Sequence, residues 1–518
     1  MRFNSAARTG AVATVVVALS TMALTACSPG ASSNASPRSD AEKYSTVRID
    51  QETQLTTIDP SVFTYFVDKR VMGLLHAPLF QFTKGSATET EGVLADSISS
   101  SSDLLEHRIT LKKEITFSDG SPITAEVVAN SLNRLKSSPP PANQDASLFE
   151  TVTAGSDGTV IITTPIPIAD LSIYLTIPTT GIIAAGIEDT NYFADQNAVY
   201  SGAYVPDGNI LSSNRFTLKR NDAFGGAKPV VEELDFSVIA DGVTATTRLR
   251  GGETDFVPSL PQESVAQMTG ELTAGGNSGL TSEWIVPNNR PGSLFEDADL
   301  RKAVSWAIDR KALATVLSGP NAEPQTVMYP APSDYPVSSN PFPEQDYDRA
   351  RDLMKGTACE SGCDVTVTYF SSNDWHARAA QVLQQQLEPI GIRVTAQPVE
   401  TQQFFEDTMG GNFEIALSDM TGFNVPSAIT SSLDTEGGTE CLFSGCRNDE
   451  FMPALNALFG ASDELEEAER SEKALEIFEE WLPIIPVASS YSNWGIRADL
   501  SDAISVQPNN LLWISTQD

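Results

Sequence analysis

The sequence predicts a mixed α/β protein, on three observations. Val365–Phe370, Ile392–Ala396 and Phe413–Leu417 are short strand-like runs, and the spacing predicts helices over Asp374–Ile390 and Gln402–Met409 between them. Such a βαβαβ run folds as a right-handed parallel unit, with ligands expected outside the carboxyl ends of its strands. Leu105–Phe117 alternates, with His107, Ile109, Leu111, Ile115 and Phe117 on one face, which predicts a long half-buried strand. Further amphipathic helices are expected over Leu300–Leu317 and after Ser462.

Local chemistry justifies each element in turn. After the alternating strand, Ser118-Asp119-Gly120-Ser121-Pro122 supplies a turn, and Thr124 is a good N-cap for a helix burying Val128, Leu132 and Leu135. Asp299 is expected to cap the helix that Gly319-Pro320 stops. In the helix from Asp374, Val382, Leu383, Leu387 and Ile390 face inward, with Gly391 as the stop. Ser462 is expected to cap the last long helix, with Leu465, Leu475, Phe478 and Leu482 inward.

The N-terminus is read separately. Arg2 and Arg8 precede an uncharged, mostly apolar run from Ala11 to Ala26, and Leu24-Thr25-Ala26-Cys27 closes it. This is a secretory signal, too short for a membrane span. Its last four residues resemble the lipobox of bacterial lipoproteins, which implies a chain beginning at a lipidated Cys27. Residues 27–43 hold little that could build a core and are expected to act as a flexible tether.

Length and charge narrow the function further. The chain has 518 residues and a formal net charge of −35. So acidic a body is a poor partner for nucleic acid or an anionic lipid surface. After Cys27 there remain Cys359, Cys363, Cys441 and Cys446, an even number in an oxidising location. The short spacings favour disulfides 359–363 and 441–446. A four-cysteine zinc site is the alternative, but the spacings are not those of zinc knuckles.

A search for catalysis returns little. The three histidines are His76, His107 and His376, and no G-x-S-x-G, H-E-x-x-H or P-loop pattern occurs. His76 and His107 are expected to be structural; His376, beside Trp375 at a helix start in the βαβ region, is a candidate ligand contact. A non-enzymatic capture protein without cofactor or metal is expected.

Ile115–Leu135 (ITFSDGSPITAEVVANSLNRL) resembles the most recognisable segment of the peptide/nickel-type, family 5, solute-binding proteins of ABC importers. Leu55–Pro60, Tyr200–Tyr204, Phe216–Phe224, Arg250–Phe256, Phe295–Leu313, Tyr347–Gly356, Leu387–Val394 and Leu482–Val487 match further segments in the family's order. The resemblance implies a periplasmic-binding-protein-like α/β fold, with two lobes joined by a hinge and an extra subdomain in the first lobe. The expected division is 44–59 with 200–284 and 490–518 for the first lobe, 60–199 for the extra subdomain, and 285–489 for the second lobe. It also implies a monomer, lipid-anchored on the outer face of the cytoplasmic membrane, passing a small solute to ABC permease subunits.

Candidate ligand residues are Tyr204, Trp375, His376, Arg378, Asp419, Phe423, Tyr491, Trp494 and Arg497. The family's peptide binders place an aspartate on the ligand's α-amino group; Phe423 stands where that acid should be. Free di- and tripeptides are therefore expected to bind weakly. A peptide-like solute leads, and a glycan, an opine or a nickel chelate are the other expectations, as is a surface sensor or adhesin on the same fold.

Overall fold

Ten strands line up because the chain supplies apolar runs on both sides of two long crossing strands. A computed structural model describes residues 43–517, apart from 63–65, 140–144, 185, 187–192, 194–197, 339, 343, 372 and 435–438. The signal segment, Cys27 and nearly all of the tether lie outside the described residues.

The principal sheet contains β1 (Thr46–Gln51), β2 (Tyr204–Pro206), β3 (Arg215–Arg220), β4 (Glu233–Val238), β5 (Phe256–Val257), β6 (Leu272–Pro287), β7 (Cys363–Phe370), β8 (Ile392–Val399), β9 (Ile415–Thr421) and β10 (Ile485–Arg497). Its order is β8-β7-β9-β6-β10-β5-β1-β4-β3-β2, with the short Glu323–Pro324 strand pairing beside β10. Strands β7, β8 and β9 are parallel, as the βαβαβ pattern requires. The antiparallel pair β6 and β10 joins this second lobe to the first lobe around β1, β4 and β5. A separate four-stranded sheet, with Glu106–Leu111 at its centre, belongs to the extra subdomain.

The crossing strands change register where the lobes meet. Ser278 pairs with Tyr491, and the next pair is Ser282 with Ser489, so Gly279, Leu280 and Thr281 oppose Ser490 alone. A bulge bends and twists its strand locally. Close packing fills the stretch just before it: a Cβ on Gly275 would clash with the Trp494 ring, and one on Gly276 would clash with Tyr491.

Helices α1 (Phe66–Leu75), α2 (Ala125–Lys136), α3 (Ala298–Ala307), α4 (Arg310–Ser318), α5 (Asp374–Leu387), α6 (Thr439–Ser444) and α7 (Glu464–Trp481) cover the sheets. Thr124 caps α2 through its side chain, and Val128, Leu132 and Leu135 are buried. Three expectations about the helices change. The helix expected over Leu300–Leu317 is two: Ile308 is extended and Asp309 caps α4, because its carboxylate takes the Ala312 N–H and restarts the helix. Asp297, not Asp299, caps α3. Asp463, not Ser462, caps α7, and Leu465 in its first turn is 79% exposed rather than inward.

The strand expected over Leu105–Phe117 stops at Leu111, since Glu114 adopts a positive φ of 59°. Ile115 and Phe117 are buried all the same. Cys359 bonds to Cys363 and Cys441 to Cys446, with Cα separations of 5.1 and 5.0 Å. Among the described residues no helix is long and apolar enough to cross a membrane.

Candidate functional site

A cavity of about 590 Å³ lies where both lobes meet the crossing strands. Arg70 and Ser259 reach it from the first lobe, Leu317 and Trp375 from the second, and Tyr491, Ser492 and Asn493 from β10. The volume falls in the range that takes a drug-sized ligand. Trp375 owes its position to the Asn373 cap, whose side chain accepts the Trp375 and His376 N–H groups and starts α5 at the cavity edge. It is 38% exposed, unusual for a tryptophan, and the Arg378 guanidinium stacks 4.2 Å from its ring centre.

The polar floor is preorganised. Arg70 is buried and pairs with Glu52 at 3.1 Å, and Ser259 donates to the same carboxylate. Burial pushes the Glu52 carboxyl up, but the Arg70 charge and the Ser259 hydroxyl together hold it below its ordinary range. Asn493 is fixed by Gln262 at 2.9 Å.

A second polar group stands one residue behind Trp375. His376 is 1% exposed, and its Nε2 lies 3.4 Å from Glu283 Oε2 on β6 and 4.0 Å from Asp419 Oδ1 on β9. Two expected site residues, His376 and Asp419, are thus brought together by a third that the sequence reading missed.

Elsewhere the lobes touch directly. Lys69 Nζ sits 4.0 Å from the Phe423 ring centre, Asn509 donates to the Phe423 carbonyl at 3.3 Å, and Asn424 donates to the Ile173 carbonyl at 3.1 Å. These contacts join the two lobes on one side of the cleft.

Residues 89–439, more than half of the chain, match the family of bacterial extracellular solute-binding proteins, family 5. The chain belongs to that family. Among curated relatives, the glutathione-binding protein GsiB of Escherichia coli O1:K1 is 26% identical over 367 residues, covering 68% of this chain and 69% of its own. Among solved structures, the ABC transporter substrate binding protein CtaP from Listeria monocytogenes superposes with a TM-score of 0.77 at 22% identity, over 90% of this chain and 99% of that one. The periplasmic binding protein DppA from Helicobacter pylori, solved with the peptide STSA, gives 0.73 at 19% identity, over 92% and 100%. The protein is therefore a solute-binding component of the importer type, with the two-lobed fold of its family.

Within this solute-binding protein, several expected ligand residues serve the scaffold. Tyr204 is fully buried in the first-lobe core, its hydroxyl donates to the Val231 carbonyl at 3.0 Å, and burial pushes its ionisation far up. Arg497 is spent on Asp255 and Asp499 at the far end of β10. Trp494 packs over Gly275 against the same core. Phe423 forms the lobe contact described above. Tyr491 and Trp375 do line the cavity, and Arg378 reaches it only through Trp375. His107, expected to be structural, bonds through both ring nitrogens to Ser100 and the Leu104 carbonyl.

Arg70, Glu52 and Ser259 carried no sequence signal. Glu52 and Arg70 are 18 residues apart and Ser259 is 207 residues from Glu52, and only the tertiary fold of the first lobe assembles them. Glu283 could have been suspected, since it is the single charged residue of its strand and a buried acid has to find a partner.

Proposed function

We propose that this protein captures a small peptide-like solute in the cavity between Trp375, Tyr491 and Arg70, and delivers it to an ABC permease. The observation that carries this reading is the cavity itself, which draws its walls from both lobes and from the strand that joins them. Trp375, Leu317 and Val243 offer apolar contact, while Arg70, Asn493 and Ser259 offer polar anchors. Closing over a ligand in such a place buries most of its surface.

The solute lacks a free α-ammonium at Phe423. That ring already carries the protein's own Lys69 ammonium, which leaves no acid there for a ligand. The lobes divide at 44–59 with 200–284 and 490–518, at 60–199, and at 285–489, and they hinge at the Gly279–Thr281 bulge. Cys27 carries the lipid that holds the protein outside the cytoplasmic membrane as a monomer.

Calorimetry against glutathione, tri- and tetrapeptides with free and blocked amino termini, glycans, opines and nickel chelates tests the reading. Blocked peptides should bind best, quench tryptophan emission and shrink the radius of gyration. Binding confined to a glycan or a chelate would overturn the peptide assignment. Cys27→Ser should release the protein from the membrane; unchanged retention would overturn the anchor.

A further inference from the structure

Two carboxylates face one imidazole where β6 pairs with β9, in a way that ordinary packing does not explain. Glu283 on β6 and Asp419 on β9 are direct cross-strand partners, so their side chains share one face of the sheet. Like charges placed directly opposite one another are destabilising. His376 enters between them from the first turn of α5, and the three donor atoms all lie within 4.8 Å of one another. The imidazole is almost fully buried yet nearly unspent. Its Nδ1 has no partner among the described residues, and its Nε2 makes one long contact, to Glu283 at 3.4 Å. His107 has both nitrogens satisfied, and His76, whose Nδ1 is likewise without a partner among the described residues, belongs to no such carboxylate cluster.

One imidazole and two carboxylates form a donor set for borderline divalent ions. A tetrahedral ion with bonds of about 2.0–2.2 Å holds neighbouring donors about 3.3–3.5 Å apart. The His376–Glu283 separation already has that value. Asp419 stands 4.0 Å from His376, and its side chain is 41% exposed, so a small rotation brings it in. Calcium and magnesium are poorer fits, since they prefer six or more oxygen donors.

We propose that Glu283, His376 and Asp419 bind one divalent transition-metal cation, with Zn²⁺ the best match to the ligand types. None of the three residues lines the cavity, so the site does not depend on which solute the cavity takes. It also differs from a metal carried as a chelate, because the protein's own side chains are the ligands. Three protein donors leave one coordination position open on the exposed side of Asp419.

The test uses the full chain without an affinity tag, purified in detergent, stripped with EDTA and titrated with Co²⁺ before competition with Zn²⁺. One equivalent of Co²⁺ should bind and give the intense visible bands of a low-coordinate ion with nitrogen and oxygen donors, and Zn²⁺ should displace it. His376→Gln and Asp419→Asn should each weaken binding at least about tenfold. Asp419→Asn is the secure variant, because its side chain is exposed, and its metal-free melting temperature should match or exceed that of the unaltered chain. Asp348→Asn, at an exposed surface aspartate paired with Arg351, should leave affinity unchanged. A weak aqua-ion spectrum, displacement by millimolar Mg²⁺, or an Asp419→Asn affinity within twofold of the unaltered chain would each overturn the proposal.

Discussion

Asp255 and Asp419 are aspartates at opposite ends of the crossing strands, and their surroundings differ in kind. Asp255, at the first-lobe end, is 1% exposed and accepts from Arg48 Nε at 2.8 Å, from Arg48 Nη2 at 2.7 Å, from the Arg48 N–H at 3.0 Å and from Arg497 Nη1 at 2.9 Å. Burial pushes its carboxyl up, but the hydrogen bonds and charge of Arg48 and Arg497 hold it below the usual range. Asp419, at the second-lobe end, faces another carboxylate and a histidine at 4.0 Å. Where every lone pair is met by a partner from the same lobe, the charge is part of the scaffold. Where like charges are held together around a buried, under-bonded imidazole, the fold has set aside capacity for something outside the chain.

The largest test of this contrast is Asp255→Ala. It strands two arginines on a partly buried strand edge and should cost about 3–5 kcal/mol in denaturant unfolding. A loss below about 1 kcal/mol would erase the distinction. Solute affinity of the folded protein should not change, because the cluster lies outside the cavity.

Next comes a buried acid that belongs to neither class. Glu440 on α6 is fully buried, accepts from Ser418 at 3.0 Å, and is pushed by burial up to about 7. A carboxyl raised in the fold holds its proton there more tightly than in the unfolded chain. Its stabilisation is complete below about pH 4.5 and is lost as pH rises through about 7. Glu440→Gln should remove that slope, leaving the variant about 1–3 kcal/mol more stable relative to the unaltered chain at pH 8 than at pH 4.5. Parallel melting curves across pH 4.5–8 would refute the assignment.

Trp375→Ala probes the cavity side of the comparison. The ring is exposed, so stability should hold within about 0.5 kcal/mol, while solute affinity falls about tenfold, roughly 1.4 kcal/mol. An unchanged Kd would move the solute elsewhere in the cleft.

The smallest effect is expected from Asp419→Asn without metal. Relieving one of two facing carboxylates should raise stability by about 0.2–1 kcal/mol, the reverse sign to Asp255→Ala. A loss of stability would show that Asp419 is structurally satisfied after all.

Periodicity was enough for the parallel β7-β8-β9 unit, capping chemistry for the Thr124-capped helix and short spacing for the cysteine pairs, because each depends on residues close in sequence. Family resemblance at nine segments was enough for the two-lobed class. Helix ends were legible only to within a residue or two: Asp309 caps as readily as it extends, and Asp463 takes the Leu465 and Glu466 N–H groups while the Ser462 hydroxyl donates to Glu466. Leu465 follows the helical period and still faces solvent, since period gives a face and not a neighbour.

Of the candidate ligand residues, aromatic and charged identity marked Trp375, His376, Asp419 and Tyr491, and it marked Tyr204 and Arg497 just as strongly. Tertiary structure alone separated them. Tyr204 found a carbonyl and a core, and Arg497 found Asp255, whereas Trp375 was left at a cavity edge and His376 between two acids. Residue type states what a side chain can bond to. Whether that capacity is already spent is set by partners 27 to 242 residues away in these cases, which only the tertiary packing brings within reach.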